Sequence, residues 1–214
     1  ARSSGLAAWE ADMISRNGRL AASIVALVTW AGLVIQFRAS LATVGTAGET
    51  VWVMLRFFTV IANLLTAIAF TAIAIGRDRW LTPARLGGIT LAMLLVWIVY
   101  ALLLQGLLEL SGGSALADVL LHKVTPVLVP FFWLVFVPRG GLNHRDPIGW
   151  AALPLAYFIY ALVRGRFEGK YAYPFLDVEK LGWPQTLVTA VVMALGFLLA
   201  GQAMVWLDRR LSPR

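Results

Sequence analysis

The 214-residue chain has no cysteine, two histidines and only 14% charged residues, with 11 acidic against 18 basic side chains. The missing cysteine excludes disulfides, thiolate nucleophiles and cysteine-ligated metals. A soluble domain carries about 25% charged residues, so the scarcity of charge excludes that class, and the 60% hydrophobic content and mean hydropathy of +0.79 point to an integral membrane protein. The ten-residue alternating segments of an outer-membrane barrel are lacking. No internal repeat stands out, which weighs against an inverted-repeat transporter. Nothing pairs the basic residues with the motifs of a nucleic-acid-binding face, so nucleic acid is not an expected partner.

Continuous apolar runs long enough to cross a bilayer lie at 20–37, 51–75, 86–108, 115–137, 148–163 and 187–207. They predict an all-α bundle of six transmembrane helices over 20–207, between an N-terminal segment 1–19 and a tail 208–214. The loops leave no room for a soluble domain. Alternate loops divide the Lys and Arg residues unequally. The termini and the second and fourth loops hold eleven, including Arg2, Arg77, Arg139 and Arg214, and the opposite side holds seven. The positive-inside rule then sets both termini in the cytoplasm. The net charge of +7 fits juxtamembrane arginines held against anionic lipid head groups. The stretch before Leu20 is polar and mixed, so the first span is expected to act as an uncleaved anchor rather than a signal peptide.

Polar residues inside these runs are the candidates for function, because ionisable groups at membrane depth are costly and mark working sites. In the second run, Thr46 and Glu49 match a capping box. On one continuous helix, Arg56, Thr59, Asn63 and Thr66 would share an arc of about 80°. The stripe reads as a functional face, or for Thr66 as glue between helices. In the fourth run, Ser114 is a possible cap for a helix that aligns Asp118, His122, Val129 and Trp133. Asp118 could accept the His122 ring N–H, or merely favour a helix N-terminus. Pro126 has no amide hydrogen, which deprives the His122 carbonyl of its helical partner and predicts a distortion there.

Both runs head inward from the same side, so Thr59 and His122 can meet in the outer half of the bundle as nucleophile and base. Helix-interior amides are already bonded, so Asn63 or Arg56 would be expected to supply the oxyanion donors. The segment from Tyr171 to Asp177 reads as an interfacial aromatic anchor or as a lid. Asp146 and Pro147 read as a helix start on the other side, which leaves His144 a solvated loop residue. Two histidines on opposite sides cannot ligate one haem. We expect no metal and no cofactor.

Phe58-Thr59-Val-Ile-Ala-Asn63-Leu-Leu65, then Leu121-His122-Lys-Val-Thr-Pro126, Trp133-Leu-Val-Phe136 and Tyr173-Pro-Phe-Leu-Asp-Val178 occur in this order. Together they resemble the motifs of the androgen-induced-protein-like family of six-span membrane proteins, relatives of the androgen-dependent TFPI-regulating protein. The resemblance implies a bacterial member, in the inner membrane, and covers most of the chain. It implies an intramembrane threonine hydrolase acting on fatty acid esters of hydroxy fatty acids, with Thr59 and His122 as the catalytic pair. The implied partners are a lipid ester substrate and membrane lipids. Relatives often carry Asp where this chain has Phe132. Asn63, Arg56, Asp118, Trp133, Tyr173 and Asp177 are the expected supporting residues. A proton-coupled or small-molecule transporter and a non-enzymatic lipid-binding protein would use the same polar set differently.

Overall fold

The computed structural model describes residues 14–107 and 109–213. Arg2, most of the N-terminal segment and Arg214 lie outside the described residues. Those described form helices, with no strand among them. Helix α1 spans Arg16–Val44, and Ser15 caps it by accepting from the Gly18 amide. Helix α2, Ala47–Met54, starts at the expected capping box, with Thr46 accepting from the Glu49 amide. Helix α3 spans Phe58–Ala74. Helix α4, Pro83–Val99, runs on into a π-helical turn at Tyr100–Leu104. Helix α5, Gly112–Val119, passes through a second π-helical turn, Leu120–Val124, into α6, Thr125–Phe136. The short α7, Asp146–Trp150, leads into α8, Ala152–Glu168. A 3-10 turn at Pro174–Leu176 connects α8 to α9, Val178–Arg210, which kinks at Gly182 (φ 75°).

Five of these units are long and apolar enough to cross a membrane, and a sixth exists if α2 and α3 count as one span bent by 100°. This set of apolar helices is compatible with a multi-pass membrane protein. The bend corrects the expectation of a continuous second helix. Two smaller corrections concern caps. Ser111, not Ser114, precedes α5. Asp146 is the first residue of α7 rather than its cap, and its carboxylate accepts from the Asn143 amide.

Without a hydrophobic force between helices in lipid, close packing and polar bonds hold such a bundle together. Helix α1 packs along α3, α5 and α6, while α4 packs on α6 and α3. Phe70 of α3 meets Phe132 of α6 edge-on, with ring centroids 4.8 Å apart, in the centre of the core. Gly32 lets α1 lie against the second π turn, because a β-carbon there would come within 2.7 Å of Leu121. Helices α8 and α9 hardly approach each other along their lengths. Aromatic side chains join α8 to the bundle near the α2–α3 break.

Candidate active site

Leu55, Arg56 and Phe57 separate α2 from α3, and no proline or glycine causes the break. Free carbonyls at membrane depth are tolerated only where the protein satisfies them. Here α8 does so. The Tyr157 hydroxyl donates to the Arg56 carbonyl at 2.7 Å, Tyr160 to the Leu55 carbonyl at 3.3 Å, and Arg164 to the Trp52 carbonyl at 2.7 Å. Glu168 binds Arg56 at 2.5 Å and Arg164 at 2.7 Å, and the Arg164 guanidinium lies 4.0 Å from the centre of the Trp52 ring. The Arg56 side chain is therefore committed to Glu168. It does not share the face of Thr59, as a continuous helix would require.

The break makes Thr59 the second residue of a new helix. The amides of Phe58 and Thr59 then have no carbonyl four residues back to bind, and the positive end of the α3 dipole lies at the Thr59 hydroxyl. The Thr59 amide donates to the Tyr173 hydroxyl at 3.4 Å, and the Phe58 amide faces the Tyr157 and Tyr173 hydroxyls. The expectation that these amides bond to helix carbonyls is thus corrected, since their partners are tyrosine hydroxyls. Burial pushes the Tyr173 phenol up, so it stays a neutral hydrogen-bond donor.

His122 lies in the π turn that Pro126 imposes downstream. In that turn the Thr125 amide bonds back to the Leu120 carbonyl, one residue further than an α-helix allows. The carbonyl left facing the proline ring is therefore that of Leu121, not of His122 as α-helical spacing predicts. Asn63 completes it. Its amide donates at 3.2 Å to the Leu121 carbonyl and at 2.8 Å to the Thr59 carbonyl. The expected oxyanion role thus does not fit the Asn63 amide, which braces the two helices that carry Thr59 and His122. Replacing it by leucine should strand a buried carbonyl, cost about 1–3 kcal/mol of stability and lower the thermal unfolding temperature, which light scattering or tryptophan fluorescence can follow in detergent.

Together the break and the π turn bring His122 Nε2 to 3.1 Å from Thr59 Oγ1. His122 Nδ1 lies 3.0 Å from Asp118 Oδ1, one turn back on the same helix. A carboxylate only accepts, so Nδ1 holds the proton and Nε2 is free to receive one from the threonine. Tyr100, from the π turn of α4, donates to Asp118 Oδ2 at 2.5 Å, and its ring stacks on His122 with centroids 4.5 Å apart. The result is a line of four groups, Tyr100, Asp118, His122 and Thr59, set like a nucleophile, a base and an orienting acid. Tyr100→Phe keeps the stacking but removes one charge-assisted bond to Asp118, so it should cost about 1–3 kcal/mol of stability in unfolding followed by tryptophan fluorescence while the fold is retained.

Thr59 also borders an apolar cavity of about 400 Å³ between α3, α4, α8 and α9. Val96, Phe158 and Phe197 line its walls, and Tyr157 and Tyr173 flank Thr59 at its polar end. The segment from Tyr171 to Asp177 folds inward, burying Tyr173 and Leu176. Asp177, by contrast, caps α9 by accepting from the Lys180 amide. Trp133 is buried at the far end of α6, with the Arg139 guanidinium 4.1 Å from its ring centre. Thr66 bonds within its own helix, and the His144 carbonyl accepts from exposed Gln202. None of these four bonds the Thr59–His122 pair in the interactions described.

Tyr100 and Tyr157 are the contributors that sequence reasoning missed. Only five tyrosines occur in the chain, and a buried phenol needs a partner, which was the available signal. Among the described residues no group of three or more metal-ligating side chains comes together. No family model, curated protein or solved structure matches this chain.

Proposed function

We propose that this protein is an intramembrane hydrolase of lipid esters, with Thr59 as nucleophile and His122 as general base. The observation that carries the reading is the 3.1 Å contact between the Thr59 hydroxyl and the unprotonated ring nitrogen of His122, at the polar end of an apolar cavity. Acyl chains suit such a cavity, since pockets bind ligands mainly through apolar walls with a few placed polar groups. A transporter has no need of a hydroxyl held against a base and an orienting carboxylate.

The chemistry runs as follows. An ester carbonyl carbon meets Thr59 Oγ1 as the hydroxyl proton passes to His122 Nε2. The carbonyl oxygen becomes an oxyanion at the positive end of α3, stabilised by the Tyr173 hydroxyl and by the Phe58 and Thr59 amides once it displaces the phenol oxygens that those amides otherwise bind. Collapse breaks the bond to the alcohol oxygen, which takes the proton from Nε2 and leaves an acyl-threonine. Water then loses a proton to Nε2 and adds to the acyl carbon. Release of the acid returns that proton to Thr59.

We further assign six crossings, counting α2 and α3 as one, with both termini cytoplasmic on the distribution of Lys and Arg, and a bacterial inner membrane on the family resemblance. The preferred substrate is an ester of a fatty acid, including esters of hydroxy fatty acids. The direct test is labelling by a fluorophosphonate probe followed by peptide mapping. A covalent adduct on Thr59 is the expected result. Solute flux in liposomes with no adduct would replace this reading by a transporter.

A further inference from the structure

The cavity wall between α8 and α9 is unlike the rest. Leu155 of α8 and Leu187 and Val191 of α9 line the cavity, yet they are 59%, 48% and 56% exposed. Their helices hardly touch along their lengths. Val96 of α4, Tyr157 of α8 and Phe197 of α9, which also line the cavity, are buried. In a membrane span, an exposed leucine or valine faces hydrocarbon. The cavity therefore opens sideways, toward lipid tails, at the gap between α8 and α9, and its closed end is Thr59.

We infer that this gap is a lateral portal through which the acyl chain of a membrane-dissolved ester slides directly from the bilayer to Thr59. The occupant is one long, unbranched hydrocarbon chain, because the walls offer no polar partner until Thr59, Tyr157 and Tyr173. Such a chain would exchange hydrocarbon for hydrocarbon on entry. Its ester group alone would gain hydrogen bonds, which aligns the bond to be cut with the polar end. The substrate, though not the opening, rests on the ester-hydrolase reading.

The cysteine-free chain makes the portal testable with one introduced thiol. Val191→Cys in lipid vesicles would be modified with a bulky methanethiosulfonate reagent, with Leu27→Cys on the distant lipid face of α1 as control. Two readouts are taken: hydrolysis of a long-chain ester, and photo-crosslinking by a fatty acid ester with a diazirine in its acyl chain. Modification at Val191→Cys should reduce both about tenfold or more, because the plug fills the space that the acyl chain must occupy for its ester to reach the polar end. Reductant should restore them, and modification at Leu27→Cys should change neither. Undiminished crosslinking to the cavity residues after full modification would overturn the portal, and Leu155→Cys repeats the test from the α8 side if Val191→Cys misfolds. Crosslinking that the plug blocks, without hydrolysis in any form of the protein, would overturn the hydrolase reading and leave the portal standing.

Discussion

Thr59→Ala should lower ester hydrolysis by about 10⁴-fold or more and abolish the fluorophosphonate adduct, with thermal stability close to that of the unmodified protein. Among the described residues, the oxygen removed is the side-chain oxygen that both bonds His122 Nε2 and borders the cavity, so its loss leaves no nucleophile beside the base. The fold depends on it little, since a typical intramolecular hydrogen bond contributes only about 1 kcal/mol. Thr59→Ser keeps a hydroxyl at the same position and should retain measurable turnover and labelling. Initial rates on a long-chain ester in detergent decide the matter. A Thr59→Ala variant that stays folded and hydrolyses within about tenfold of the parent rate would remove threonine from the mechanism.

His122→Ala should be equally severe, because an alcohol is too weak an acid to attack a carbonyl without a base. The more informative measurement is the pair. Groups that act as one unit are strongly non-additive, so Thr59→Ala combined with His122→Ala should be no slower than either alone. Independent losses that multiply would mean that the 3.1 Å contact is a packing bond between helices rather than a path for a proton. An exogenous imidazole that restores turnover to His122→Ala, and not to the double variant, would mark the ring as a base.

The helical class and most of the spans were legible in the sequence because burial in lipid demands long apolar runs, and these stand out from composition alone. Thr59 and His122 were legible because polar groups at that depth are rare. The break before Phe58 was not. It follows no proline or glycine, and what stabilises it comes from more than 100 residues away, in Tyr157, Tyr160, Arg164 and Glu168. Once the helix is read as continuous, Arg56 falls on the wrong face and the Thr59 amide is assigned to the wrong partner. The π turn at His122 was half legible. Pro126 announced a distortion, but the shift from four-residue to five-residue bonding, which moves the orphaned carbonyl to Leu121, depends on Asn63 approaching from α3. Tyr100 and Tyr157 escaped notice because each sits in an apolar run where a phenol reads as an interfacial anchor.

One amide joins two of the irregular places in this bundle, the α2–α3 break and the π turn at His122. By holding the Thr59 and Leu121 carbonyls at once, Asn63 locks the reacting pair to a stiff framework of α1, α3, α5 and α6. The sparsely packed α8 and α9 lie outside that lock. In the proposed hydrolase, tails would enter between these two helices, away from the Thr59–His122 contact. On the proposed reading, catalytic rate and substrate admission are thereby set by different helices, so selection could widen or narrow the range of accepted tails without disturbing the chemistry.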